Sequence, residues 1–197
     1  MLDRPCPSSW TVRRARDAYL EENGFTVASY AAKWTEATAF GIPIKVPNTQ
    51  RHAWAIMLHD LHHVATGYGT DMRGEGEISI WEARRGLRPL GLYVGSIVIT
   101  GSLGGVLMAP RRALAAWRAS AGTASSLFAG ADTEAAYEAL LALTVGELRA
   151  RLGVPDEGLV KARALHAQAR KRITGTGNAL PVDAPGNPSR SLKPRPA

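Results

Sequence analysis

From Pro89 to Pro110 the chain carries no charged residue: PLGLYVGSIVITGSLGGVLMAP lies between Arg88 and Arg111. A stretch of this length can span a bilayer, so its fate constrains everything around it. It holds five glycines, two prolines, two serines and a threonine. That makes it only moderately apolar, whereas a spanning helix is normally richer in Leu and Phe. Three readings stay open. It is a membrane span, or a buried core helix interrupted at Gly101–Gly105, or the wall of a lipid-binding cavity whose glycines let an acyl or prenyl chain come close. On the third reading, Leu92, Val94, Ile97, Val98 and Leu103 are the candidate lipid contacts.

The remaining sequence reads as helix after helix. Ser9 is a fair N-cap for a helix over 10–22, with Trp10, Ala15, Tyr19 and Leu20 as its inner stripe and Asn23-Gly24 as its stop. Val27, Tyr30, Ala31, Trp34 and Ala37 predict a second helix over 26–38, and GIPIKVPNTQ after it reads as irregular because of Gly41, Pro43 and Pro47. Trp54, Met57, Leu58, Leu61 and Ala65 mark a strong helix over 49–66, stopped by Gly67. Further helices are expected near 75–86, 110–120, 132–142, 144–152 and 156–171, and Thr144 to Glu147 has capping-box spacing. Only Val94–Thr100 is β-branched enough to be mistaken for a strand. The expectation is an all-α, single-domain bundle of about seven to eight helices over 1–173. A proline- and glycine-rich tail over 174–197 is read as disordered.

A chain of 197 residues with 45% hydrophobic residues suffices for one core and leaves no room for a second domain. The net charge of +7 favours anionic partners, among them an anionic membrane surface. The arginines come only in short groups, such as Arg13, Arg14 and Arg16, or Arg170 with Lys171 and Arg172. Such groups read as solvated helix faces, and no nucleic-acid partner is expected. One cysteine, Cys6, excludes an internal disulfide. Asp3 and Arg4 near the start, with no apolar run behind them, predict no secretion signal and a cytoplasmic location.

The chemistry concentrates in HDLHHVATGYGTDMRGEGEISIWEA, from His59 to Ala83. His59 and His63 are four apart, which puts both imidazoles on one helix face, one turn apart. Asp60 lies about 100° round the helix from His59. It is read as a fourth ligand or as a proton carrier. Eleven residues separate His63 from Glu75, and the intervening glycines let the chain turn back. Glu75 then falls in the first turn of a new helix, whose positive end favours the ionised form that a metal needs. The predicted ligands are His59, Asp60, His63 and Glu75. His62 is read as a group beside the ligands rather than one of them, and with Asp60 it forms the candidate catalytic pair. His52 reads as a surface residue and His166 as an ordinary residue late in a helix. This donor set suits zinc first, with iron, cobalt or manganese as alternatives, and three or four protein ligands leave positions open for a reactant. Zinc proteases with H-E-x-x-H need a Glu where Asp60 stands, and metal-dependent phosphohydrolases need a histidine well upstream, where none precedes His52.

The run His59-Asp60-Leu61-His62-His63, followed by a gap that closes on Gly74-Glu75, resembles the ubiquinone (coenzyme Q) biosynthesis protein four family. Glu82-Ala83 and Pro89 fall where that family tends to have an E-A pair and a proline. AYLEENGF at 18–25 and TVGELRARLGV at 144–154 are similar to its early and closing helices, so the resemblance covers roughly 11–155. Two departures stand out. Ser79 occupies a position where lysine is common, and Glu77 offers a rival to Glu75 if the loop carries two extra residues. The resemblance implies an all-helical protein on the inner membrane face, working with other biosynthetic enzymes and homo-oligomeric. It also implies a metal-dependent activity at ring carbon one of a prenylated hydroxybenzoate, where hydroxyl replaces carboxylate. The alternatives are a non-catalytic scaffold that binds a prenylated aromatic or other isoprenoid lipid, and a hydrolase reusing the His-Asp pair.

Overall fold

The computed structural model describes residues 6–39, 42–124, 126–162, 164, 165 and 168. The expected disordered tail, residues 163, 166, 167 and 169–171 of the helix expected over 156–171, and with them His166, lie outside the described residues, while 158–162, 164, 165 and 168 are helical. Residues up to Ala164 belong to one compact unit. Among the described residues it is all-α apart from one antiparallel pair of strands.

Helix α1 (Val12–Glu22) is capped by Thr11, two residues later than the expected Ser9, and buries Val12, Ala15, Tyr19 and Leu20. Residues 27–31 make a short 3-10 turn, after which β1 (Trp34–Ala39) and β2 (Ile42–Pro47) pair antiparallel with Trp34 opposite Pro47. This corrects both the helix expected over 26–38 and the irregular segment expected after it. Thr35, Thr38, Ile42, Ile44 and Val46 favour extended backbone, and Pro43 and Pro47 are tolerated because a two-stranded sheet consists only of edges.

Helix α2 (Gln50–Thr66) starts at the Thr49 cap and ends at Gly67, which takes the left-handed φ of 77° expected of a helix stop. The loop to α3 (Met72–Arg85) is short, and the Asp71 side chain accepts the Gly74 N–H at 2.7 Å to cap the new helix. The charge-free segment forms one uninterrupted helix, α4 (Gly91–Met108). Its glycines serve helix packing: a Cβ on Gly76 of α3 would come within 2.3 Å of Gly105 Cα, so the two backbones touch there. Helix α5 (Pro110–Ala119) follows with proline at its first turn, then α6 (Glu134–Ala142) and α7 (Val145–Leu152). The expected capping box at α7 is present in both directions.

Two apolar clusters meet on α2. The larger gathers Leu58, Leu61, Ile78, Trp81, Leu140 and Leu148, and the smaller packs Tyr19, Leu20 and Tyr30 around Val64. The Arg149 guanidinium is 1% exposed, and its Nε donates to the Ala65 carbonyl at 2.9 Å. A buried cation is costly unless it is hydrogen-bonded. Here it satisfies carbonyls of the last turn of α2, which helps fix the helix that carries the histidines.

Candidate metal centre

His59 and His63 sit one turn apart on α2, as their spacing requires. Glu75 approaches from the first turn of α3. Its approach depends on Gly74, because a Cβ there would lie 2.0 Å from the Gly69 carbonyl oxygen. The Gly-Glu pair is therefore a steric device: the glycine lets the return loop lie against the helix start, and that brings Glu75 to the histidines.

One atom each from His59, His63 and Glu75 lie together within 4.8 Å. The Nε2 atoms of His59 and His63 are 3.0 Å apart, His59 Nε2 is 3.3 Å from Glu75 Oε2, and His63 Nε2 is 3.4 Å from Glu75 Oε1. A tetrahedral ion with bonds near 2.0–2.1 Å separates its ligand atoms by about 3.3 Å. The distance between the two Nε2 atoms is close to that spacing, and each histidine has one Glu75 oxygen near it, Oε2 for His59 and Oε1 for His63.

The other ring nitrogens define the chemistry. His63 Nδ1 donates to the Tyr68 carbonyl at 2.9 Å, and His59 Nδ1 donates to the Glu82 carboxylate at 2.8 Å. Each imidazole thus has its proton on Nδ1 and turns the Nε2 lone pair toward the other. Two lone pairs at 3.0 Å need a positive centre between them, either a proton or a metal ion. Burial disfavours charge on His59, yet Glu82 and Glu75 raise its pKa well above the usual histidine value. Burial would likewise raise both carboxyls. The neighbouring imidazoles overcome it, holding Glu75 well below the carboxylate range and Glu82 near about 2.

Asp60 stands apart from the converging atoms. Its Oδ2 accepts the Tyr30 hydroxyl at 2.6 Å in a buried contact, and burial raises its pKa. His62 is wholly buried, with Nδ1 donating to Glu82 at 2.8 Å and Nε2 accepting the Leu127 N–H at 3.0 Å. Both its nitrogens are engaged, so it sits behind His59 rather than facing a reactant. Glu77 is buried and pairs with Arg112 of α5, away from the cluster. This geometry favours Glu75 as the acid of the motif.

Beside the cluster lies a cavity of about 940 Å³. His59, Asp60, Glu75 and Glu82 form its polar wall, and Ala55, Ile56, Val94, Ile97, Val98 and Phe128 form much of the rest. The expectation that Leu92 and Leu103 join Val94, Ile97 and Val98 on that wall is corrected. Leu92 is 95% exposed and Leu103 59% exposed, because α4 packs on one side only and these two fall on the opposite face. His52 is also corrected: it is buried on the cavity wall, with Nδ1 lacking a hydrogen-bond partner. Three arginines near the ends of the charge-free segment are engaged within the fold. Arg84 stacks on Trp117, Arg85 donates to the Thr123 carbonyl, and Arg112 pairs with Glu77.

Glu82 escaped sequence reasoning as a site residue. Its signal was spacing: Glu75, Ser79 and Glu82 recur at i, i+4 and i+7 and so share one face of α3, and all three line the cavity. Comparison with protein-family models, with curated proteins and with solved structures finds no match to this chain.

Proposed function

We propose that this chain is a divalent-metal protein of ubiquinone or related prenyl-quinone synthesis, acting at ring carbon one of a prenylated hydroxybenzoate. The observation that carries the reading is the convergence of His59 Nε2, His63 Nε2 and the Glu75 carboxylate, one ligand atom from each within 4.8 Å of the others, on the wall of a largely apolar cavity. His59, His63 and Glu75 hold the ion, and a set of two imidazoles and one carboxylate suits zinc first. A cation bound there supplies a Lewis acid for an aromatic carboxylate or phenolate. The apolar wall of α4 accommodates a prenyl chain, and 940 Å³ is at the upper end of what a small-molecule site offers. Replacing carboxylate by hydroxyl releases carbon dioxide and consumes an external oxidant.

A second reading rests on the outer face of α4. The segment Arg88–Met108 is long and apolar enough to cross a membrane, and one third of its most apolar window is buried. Leu92, Ile99, Leu103 and Leu107 are exposed along it, continued by Leu114 and Trp117 on α5. Such a stripe suits a protein lying on an anionic membrane, as a scaffold that presents prenyl lipid to partner enzymes.

Elemental analysis of the purified protein tests the first reading against the second. About one divalent ion per chain, absent from a His59→Ala, His63→Ala double variant of unchanged helicity, supports the metal reading. Absence of metal from the wild type after zinc addition leaves the scaffold.

A further inference from the structure

Glu82 is wholly buried, where a carboxylate's charge needs partners; Oε2 has no hydrogen bond, so the compensation falls on Oε1. Its Oε1 receives two imidazole N–H groups, from His59 Nδ1 and His62 Nδ1, each at 2.8 Å. The His62 tautomer is fixed independently: the Leu127 N–H donates to Nε2, so the ring proton is on Nδ1 and faces Glu82. The ring itself is held edge-on between Trp81 and Phe128, with centroids 5.0 and 4.9 Å away. His62 therefore has no freedom to turn, and neither has the carboxylate oxygen that it grips. That same oxygen selects the Nδ1–H tautomer of His59 and sends its Nε2 toward His63 and Glu75.

We propose that Glu82 is the positioning residue of the metal centre, and that His62 is its brace. This rests on the reading of His59, His63 and Glu75 as metal ligands. A carboxylate bonded to the far nitrogen of a ligand imidazole fixes its orientation and raises its basicity; removing such a group typically costs about 10- to 100-fold in metal affinity. The arrangement here is a chain of contacts: main chain of Leu127, His62, Glu82, His59. Each link removes one rotational freedom that the metal would otherwise have to freeze on binding. A carboxylate present merely to fill the core would have no need of two imidazole donors on one oxygen, one of them from a ligand. The same chain explains why two adjacent histidines, His62 and His63, play different parts. His63 turns into the cluster, anchored by the Tyr68 carbonyl, while His62 turns to the opposite side of Glu82.

The experiment is a zinc titration of the full chain against a chromophoric chelator, run beside thermal unfolding of each metal-free variant. Glu82→Gln is expected to weaken zinc by about 10- to 100-fold. His62→Gln, which touches no ligand atom, is expected to weaken it too, and the double variant to lose less than the product of the two. Glu82→Asp, which keeps the charge but shortens the reach, is expected to recover only part of the loss. Wild-type zinc affinity in a folded Glu82→Gln, or in His62→Gln if the former does not fold, overturns the role of Glu82 while leaving the ligand assignment standing. Lowered unfolding temperature with unchanged zinc affinity has the same consequence. A wild type that takes up no zinc overturns the ligand assignment, and this inference with it.

Discussion

Gly76→Ala isolates the contact that holds the wall of the cavity to the helix carrying Glu75. Two effects oppose each other. Alanine at a helix interior is favoured over glycine by roughly 0.5–1 kcal/mol. Against this, the new Cβ would meet Gly105 Cα at 2.3 Å and Gly105 N at 3.1 Å, and both are backbone atoms that no rotamer change can move. Ordinary contact begins at 3.4 Å, so α3 and α4 must separate by about 1 Å. Overpacking of this kind costs about 1–3 kcal/mol, which outweighs the helix gain at most of that range. For a chain of this size the net loss lowers the unfolding temperature by a few degrees, at about 2–4 °C per kcal/mol. The separation also moves the Val94 and Val98 wall away from Glu75. Gly122→Ala serves as control, since a Cβ there meets nothing within 4 Å and it is expected to leave stability within about 0.5 kcal/mol. The assay is thermal unfolding followed by helicity. Equal or greater stability for Gly76→Ala than for Gly122→Ala would refute the claim that the α3 and α4 backbones touch at this point.

Two further outcomes follow from the site. Tyr30→Phe removes the 2.6 Å hydrogen bond to buried Asp60 and should cost about 1.5–3 kcal/mol in denaturant unfolding. Because Asp60 lies outside the converging atoms, the variant should keep the full metal stoichiometry, and loss of the ion would show that Asp60 ligates after all. In the metal-free protein, Glu82 is held near about 2, below its ordinary 4.5, so its contribution is present above about pH 4.5 and is lost as pH falls toward 2. His59 is raised above 6.5, so its contribution is full below that pH and is lost as pH rises through its folded value. Unfolding temperature with chelator present should therefore be highest between these limits. Added zinc should extend the stable range upward, because ligation requires an unprotonated Nε2; identical profiles with and without zinc would contradict the assignment.

The helices were legible because their causes are local. Thr49 and Gly67 bracket α2, Thr144 and Glu147 box the start of α7, and apolar residues recur at helical spacing between such signals. His59, His63 and Glu75 were legible for the same reason, since helical period and one glycine-rich return loop bring them together. Pairing across sequence was not legible. The pairing of 34–39 with 42–47 owes its form to hydrogen bonds between two segments that are each ambiguous alone, and a weak helical pattern over 26–38 concealed it. The glycines of α4 read as room for a lipid chain, whereas the close approach of Gly105 to Gly76 is a fact about two helices rather than one. Glu82 shows the division most directly. The sequence determined that it shares a face of α3 with Glu75, but only packing of α3 against α2 brought its carboxylate to the far nitrogens of His59 and His62. A metal site's donors can be found by spacing, while the groups that aim them are found only where helices meet, because their partners are set by packing and not by period.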